Sequence, residues 1–218
     1  MHQHVISDEF SLDREVETAS RSVMEEKQEI IRALREHISL VTALLEDQGY
    51  LTSVNAAAGA IAGALEGGNK VLFFGNGGSA ADAQHLAAEL TGRFLAERCS
   101  LAGMALSCNS SSLTAIGNDY GFDMVFARQL GGLGVAGDVA FGISTSGNSP
   151  NVLRAMEVAG EKRLVRIAMT GRGGKLPELV EHCIRIPADA TPRIQEAHIL
   201  TGHILVGIVE RKLLAKEC

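Results

Sequence analysis

The sequence predicts an α/β fold, a three-layer α/β/α sandwich with a five-stranded parallel sheet and additional N-terminal helices. Five short apolar segments, each bounded by turn or polar residues, alternate with helical segments from residue 70 onward. This alternation is typical of a parallel sheet that helices cover on both faces. Hydrophobic residues make up 46% of the 218 residues, so the chain can bury a substantial core.

Two helices are predicted before the first strand. Apolar residues recur at helical spacing over residues 13–47, and a second helix is predicted over 51–65, where a pair of glycines follows. The first helix would either pack on its own domain or serve association between subunits, and its pattern leaves both possibilities open. For the domain organisation we expect an N-terminal helical segment, 1–48, that serves oligomerisation, and one α/β domain, 49–218.

From residue 70 onward, predicted strands alternate with predicted helices. The predicted strands are short and apolar, and they lie at 70–75, 103–107, 138–144, 163–170 and 182–187. The predicted helices lie between and after these strands, at 79–97, 110–117, 121–133, 149–162, 175–181 and 192–216.

A glycine-rich sequence, GNGGS at 75–79, links the first strand to the next helix; we call it the glycine turn. A helix N-terminus attracts anions, and glycines allow a phosphate or a sugar to approach the backbone closely. Gly75, Gly77 and Ala80 also match a dinucleotide fingerprint, but the second strand leads to Asn109 without the carboxylate that would hold a ribose. Glycines required only for helix–sheet packing are a third possibility.

Four hydroxyl side chains lie within the six residues STSGNS at 144–149, which we call the hydroxyl loop. Hydroxyl groups and backbone N–H groups before a helix suit a phosphate ester without any lysine. The loop has no G-K-[ST] sequence, which disfavours ATP hydrolysis. A hydroxyl residue that only caps the following helix is the simpler alternative, but one hydroxyl suffices for a cap.

Candidate acid–base residues lie on two helices. His85 and Glu89 are four residues apart and share a helix face close to the glycine turn, although such a pair is by itself an ordinary surface feature. Gln195 and His203 lie on the last helix, about 12 Å apart along its axis and about 80° apart around it. That spacing alone does not predict a metal site.

Composition excludes several classes of partner and location. The formal net charge is −6 and tryptophan is absent, so we expect neither nucleic acid nor an anionic membrane as a partner. The four cysteines form no C-x-x-C pair, and the N-terminus does not read as a secretory signal. No apolar stretch is long enough for a membrane span. We expect a reduced, cytoplasmic protein.

Five stretches carry a specific resemblance: GNGGSAADAQHLAAELTGRF (75–94), LTAIGNDYGFDMVFARQL (113–130), GDVAFGISTSGNSPNVLRA (137–155), MTGRGGKL (169–176) and RIQEAHIL (193–200). Together they resemble the phosphoheptose isomerases, which are sedoheptulose-7-phosphate isomerases of the sugar isomerase (SIS) domain superfamily. The resemblance implies a flavodoxin-like SIS fold and conversion of sedoheptulose 7-phosphate to D-glycero-D-manno-heptose 7-phosphate, the first step of nucleotide-activated heptose biosynthesis. It also implies one zinc ion per subunit and a cytoplasmic homotetramer with active sites at subunit interfaces.

The resemblance further implies site residues. The general base falls on Glu89 and the general acid on His203. The zinc ligands, an N/O set that zinc accepts, fall on His85, Glu89, Gln195 and His203. The substrate-binding residues fall on Asn76, Gly77, Gly78, Ser79, Glu89, Arg93, Asn118, Asp119, Ser144, Thr145, Ser146, Ser149 and Gln195.

Two positions depart from the family pattern. Many members have Thr-Thr-Asp-Thr at 107–110, where this chain has Asn109 in place of the aspartate, and some have an aspartate at Pro192. The alternatives are a non-catalytic SIS module that binds a sugar phosphate or a protein, and an isomerase of hexose or pentose phosphates. The presence of Glu89 and His203 favours an enzyme, whereas the sequence separates the two kinds of isomerase poorly.

Overall fold

The computed structural model describes the backbone of residues 5–215 and the side chains of residues 24–215. The ends of the predicted N-terminal segment and of the predicted last helix, residues 1–4 and 216–218, lie outside the described residues. The chain forms two compact units, and the boundary between them follows Val41.

The first unit contains most of helix α1 (Val5–Glu46), which confirms the predicted N-terminal helix. Met24, Ile30 and Leu34 on this helix are each more than half exposed. The role of this segment in oligomerisation stays a prediction. No helix in the described part of the chain is both long and apolar enough to cross a bilayer.

The second unit contains a five-stranded parallel sheet with the strand order β2-β1-β3-β4-β5, which confirms the predicted fold class. Its strands are β1 (Val71–Gly75), β2 (Gly103–Ala105), β3 (Val139–Ser144), β4 (Val165–Thr170) and β5 (His182–Arg185). Its helices after α1 are α2 (Gln48–Glu66), α3 (Gly78–Thr91), α4 (Ser110–Tyr120), α5 (Val125–Leu133), α6 (Pro150–Glu161) and α7 (Thr191–Leu214).

Buried side chains on both faces of the sheet produce three layers. Neighbouring residues of a strand point to opposite faces, and β1 shows this with two phenylalanines. Phe74 packs on Phe126 of α5, with 5.6 Å between ring centroids, in a buried cluster that includes Met156 of α6. Phe73 packs on Phe141, with 5.2 Å between ring centroids, and lines a small apolar cavity together with α2, α3 and α7. Helices therefore cover both faces, as the alternating pattern predicts.

Several predicted boundaries are wrong, among them that of the helix predicted over 121–133, which begins at Val125 after a 3-10 turn. The helix predicted over 79–97 ends at Thr91. The strand predicted from Arg163 begins two residues later, because Arg163 has a φ of 60° and turns the chain after α6. The helix predicted over 175–181 is a single 3-10 turn, Leu176–Leu179, after which the backbone is already extended.

Candidate active site

The glycine turn and the hydroxyl loop lie side by side at the carboxyl ends of β1 and β3. The strand order reverses between these strands, because β2 lies on one side of β1 and β3 on the other. Ligands of open parallel sheets bind outside such a switch point. Gly75 is paired with Ile143 in the sheet, and the side-chain amides of Asn76 and Asn151 hydrogen-bond each other in both directions, at 2.8 and 2.9 Å. The two segments therefore lie on one continuous surface.

The glycines of the glycine turn have different roles. A Cβ on Gly75 would lie 2.8 Å from the Ile143 carbonyl oxygen, so close packing requires that glycine. Gly77 has a φ of 54° and no neighbour within 4 Å of a Cβ, so its requirement is conformational. A Cβ on Gly78 would lie 2.9 Å from Gln195 Cδ. Helix–sheet packing therefore explains only some of the glycines of this turn. Ser79, in the first turn of α3, is buried.

The hydroxyl groups of the hydroxyl loop are not used as a helix cap. Ser149 occupies the N-cap position of α6, but its hydroxyl makes no capping bond and lies 2.9 Å from the Ser144 hydroxyl instead. The Ser146 hydroxyl accepts the N–H of Asn148, and Thr145 is half-buried beside it. None of the described hydrogen bonds uses the backbone N–H groups of Ser146 and Ser149. The capping-only alternative is wrong for Ser149, and these donors suit an anion.

A second glycine-rich segment, residues 171–175 after β4, supports the hydroxyl loop. The Gly171 N–H donates to the Thr145 carbonyl at 3.1 Å. Gly147 and Gly174 have φ angles of 64° and 97°, and a Cβ on Gly174 would lie 2.6 Å from Gly147 Cα. Sequence reasoning assigned no role to this segment, although three glycines so close to the end of a strand were a usable signal.

The acid–base candidates converge on one point. His85 Nε2 lies 3.3 Å from a Glu89 carboxylate oxygen and 2.8 Å from His203 Nε2. Ligand atoms of these three residues all lie within 4.8 Å of one another. His85 and Glu89 are thus more than an ordinary surface pair, because a side chain from another helix completes the group. Two imidazole nitrogens and a carboxylate could hold a metal ion or move protons.

The path of α7 places two of its residues against different points of α3. Gln195 lies against Gly78, His203 contacts His85, and Leu86 fits against Gly202, where a Cβ would lie 2.9 Å from Leu86 Cδ1. These contacts ascend together along both helices, so α7 runs beside α3 in the same direction. Gln195 therefore lies at the start of α3, beside the glycine turn, and His203 lies about two turns further along, beside His85.

The remaining predicted residues lie on the surface. Arg93 follows α3, and its guanidinium Nε lies 3.9 Å from a carboxylate oxygen of Glu97. Asn118 and Asp119, at the end of α4, are exposed, and the Asn118 amide donates to the Asp119 carboxylate at 2.8 Å. Asn109 caps α4 by accepting the Ser112 N–H. Asparagine and aspartate cap helices equally well, so the departure at this position preserves the local structure.

Two titratable groups on the helices of the site received no role from the sequence. Burial raises the pKa of Asp82, on α3, to about 6, although the nearby His85 opposes this rise. Burial lowers the pKa of His198, on α7, to about 4, so this imidazole is neutral at neutral pH. Each of these two polar residues has small or apolar neighbours in its helix, and this pattern could have pointed to Asp82 and His198 in the sequence.

Comparison with known proteins agrees with this architecture. The family model of the SIS domain matches residues 34–171. The phosphoheptose isomerase of Rhodospirillum rubrum is 56% identical over 162 residues, which cover 74% of this chain and 86% of that protein. Phosphoheptose isomerase 2 of Campylobacter jejuni is 50% identical over 174 residues, which cover 79% of this chain and 87% of that protein.

A solved structure agrees as well. The structure of the phosphoheptose isomerase GmhA from Neisseria gonorrhoeae superposes with a TM-score of 0.80 at 42% identity, and the match covers 85% of this chain and 98% of that one. The resemblance inferred from the five sequence stretches is thereby confirmed. The chain belongs to the SIS domain family and, within it, to the phosphoheptose isomerases.

Proposed function

We propose that this enzyme interconverts sedoheptulose 7-phosphate and D-glycero-D-manno-heptose 7-phosphate. One observation carries the proposal: the carboxylate of Glu89 and the ring of His203 meet within 4.8 Å, on helices that border the glycine turn and the hydroxyl loop. An aldose–ketose isomerase needs this combination of a phosphate site and a base with a second proton-transfer group.

The proposed mechanism uses these positions. The hydroxyl loop binds the phosphate, and the open-chain sugar extends toward Glu89. Glu89 removes a proton from the carbon next to the carbonyl and returns it to the neighbouring carbon, through a cis-enediol. His203 moves the proton between the two oxygens. The transfer is internal, so no redox cofactor is consumed.

We also propose that one zinc ion per subunit binds to His85, Glu89 and His203, with Gln195 as the fourth ligand. The donor set fits zinc, since two imidazole nitrogens and a carboxylate oxygen already lie within 4.8 Å of one another. When bound, zinc would supply Lewis-acid polarisation of a carbonyl group. Glu89 would then be both ligand and base.

The substrate is tested by product NMR. Purified protein is incubated separately with sedoheptulose 7-phosphate, a hexose phosphate and a pentose phosphate. We expect new anomeric signals from the heptose alone, and these signals also identify the anomer formed. Faster conversion of the hexose or pentose phosphate would identify that sugar phosphate, and not the heptose phosphate, as the substrate. No conversion of any sugar phosphate would favour a binding module.

The hydroxyl loop gives a separate prediction. Ser149→Ala should raise KM for the sugar phosphate about tenfold or more and change kcat much less, because phosphate contacts exist in both the ground state and the transition state. Steady-state kinetics measure both constants. Ser53→Ala, on α2, is the matched control and should change neither. An unchanged KM in Ser149→Ala and in the Ser146→Ala/Ser149→Ala double variant would place the phosphate elsewhere.

We propose that the enzyme is a homotetramer with active sites at subunit interfaces, and that α1 contributes to association. Ile30 and Leu34 are 61% and 59% exposed and lie four residues apart on one helix face. Apolar residues in such an arrangement favour contact with another surface.

The double variant Ile30→Gln/Leu34→Gln should therefore lower the mass measured by light scattering and reduce activity together. Exposed substitutions rarely affect folding, and Glu29→Gln/Arg32→Gln, on the same helix, is the control. A wild-type protein that is a fully active monomer would contradict the proposal.

We further propose that the enzyme works in the cytoplasm. The described cysteines Cys99, Cys108 and Cys183 are all free. Free thiols without disulfides are typical of a reducing compartment, and a phosphorylated sugar substrate supports the same location.

A further inference from the structure

The loop between α3 and β2, which we call the 92–98 loop, is held by a buried ion pair. Arg98 Nε lies 3.0 Å from a carboxylate oxygen of Glu210 on α7, and both side chains are only 3% exposed. Removing two charges from water is costly unless other hydrogen bonds satisfy them. The two charges of this pair therefore require further hydrogen bonds, and both side chains make them.

The Glu210 carboxylate fixes the backbone of the loop. It accepts the N–H groups of Phe94, Leu95 and Ala96 at 3.3, 3.0 and 3.0 Å. Although burial alone would raise the pKa of Glu210, these bonds and Arg98 lower it below its ordinary value. The backbone N–H groups that a continued helix would have used thus bind a side chain of α7 instead.

The Arg98 guanidinium fixes the end of α3. It donates to the backbone carbonyls of Glu89, Leu90 and Gly92 at 2.8, 2.9 and 3.2 Å. The last carbonyls of a helix have no partner within the helix, so a cation suits this position. One of these carbonyls belongs to Glu89, the proposed base.

Phe94 of the same loop contacts His203, the proposed acid. The two rings stack with 5.6 Å between centroids and an interplanar angle of 27°. A Cβ on Gly207 would lie 3.3 Å from the Phe94 ring, so this glycine makes room for the phenylalanine. His203, Gly207 and Glu210 lie four and then three residues apart, on one face of α7. The loop thus contacts that face at three successive positions.

We propose that the 92–98 loop positions the two proposed catalytic side chains relative to each other, with Phe94 and Arg98 as its positioning residues. Arg98 anchors the backbone of Glu89, and Phe94 supports the ring of His203. This inference rests on the proposed roles of Glu89 and His203. A misplacement of about 1 Å can cost about a hundredfold in rate, so such anchoring has a measurable consequence.

The test compares Phe94→Leu with Phe94→Tyr in the full chain. Phe94→Leu should lower kcat about 10-fold to 100-fold and leave KM within about twofold, because the phosphate-binding segments are not altered. Phe94→Tyr keeps the ring and should restore kcat to within about threefold of wild type. Phe122→Leu, at a phenylalanine that is 63% exposed, is the matched control and should change neither constant.

A spectroscopic measurement separates positioning from stability. In proton NMR of the same samples, Phe94→Leu should shift the ring resonances of His203, because a stacked ring is lost, and Phe122→Leu should not. The expected result includes an unchanged assembly mass and melting temperature. A fall in kcat accompanied by loss of the assembly or of thermal stability would assign the loop a purely structural role and overturn the proposal. A kcat within twofold of wild type would do the same.

The ion pair gives a second arm. Glu210→Gln should lower kcat with KM unchanged, whereas Glu181→Gln, which removes the half-exposed partner of Arg166, should not. If Glu210→Gln fails to fold, Phe94→Leu decides the matter alone. Wild-type activity in Glu89→Gln and His203→Gln would refute the proposed catalytic roles. Loss of activity in those two variants with full activity in Phe94→Leu would refute only the positioning.

Discussion

Replacing Glu89 by glutamine is expected to lower kcat for sedoheptulose 7-phosphate by about 10²-fold to 10⁴-fold. The amide is nearly isosteric with the carboxylate but cannot accept the proton from the sugar carbon. Glu89 lies on α3, 3.3 Å from His85, and its backbone carbonyl is held by Arg98, so the substitution leaves the surrounding contacts in place. Product NMR with saturating substrate measures the loss.

The control for this prediction is Glu157→Gln, which alters an exposed carboxylate on α6 that pairs with Arg154. It should keep wild-type activity, and both variants should unfold at temperatures close to that of the wild type. Activity of Glu89→Gln within tenfold of wild type would exclude Glu89 as the base.

Replacing His203 by glutamine is expected to cost at least a hundredfold in kcat, because the amide cannot carry a proton between the two sugar oxygens. His203 is also one of three groups that lie within 4.8 Å of one another. His203→Ala leaves no ligand atom at this position, so zinc bound to that variant should fall below one ion per subunit. Steady-state kinetics of His203→Gln and metal analysis of His203→Ala give two independent measurements.

His182→Gln, on β5, is the matched control and should retain both activity and metal. A mild loss of activity in His203→Gln would move the acid role to another residue. Unchanged metal content in His203→Ala would remove His203 from the ligand set even if activity were lost.

The sequence was sufficient for the fold because its signals are local. Strand and helix periodicity and glycine-rich turns depend on residues a few positions apart. The pairing of His85 with Glu89 was also readable, since residues four apart on a helix share a face. The hydroxyl loop was readable because four hydroxyl residues are more than a cap requires.

Only the tertiary structure decided how α7 meets α3. The distance between Gln195 and His203 along α7 could not indicate whether both reach the site, because that depends on how the helix crosses its neighbour. The close fit of Gly202 against Leu86 allows the two helices to run side by side and brings His203 within 2.8 Å of His85.

The 92–98 loop shows the same limit. Its sequence continues the helical pattern of α3, so it was predicted as helix to residue 97. In the structure the helix ends at Thr91, and Glu210, more than a hundred positions later in the chain, binds the N–H groups that the helix would have used. Local sequence thus determined the strands, the glycine turn, the hydroxyl loop and the His85–Glu89 pair of this protein. The contact of His203 with that pair and the end of α3 at Thr91 depend on contacts between distant segments, which no local pattern encodes.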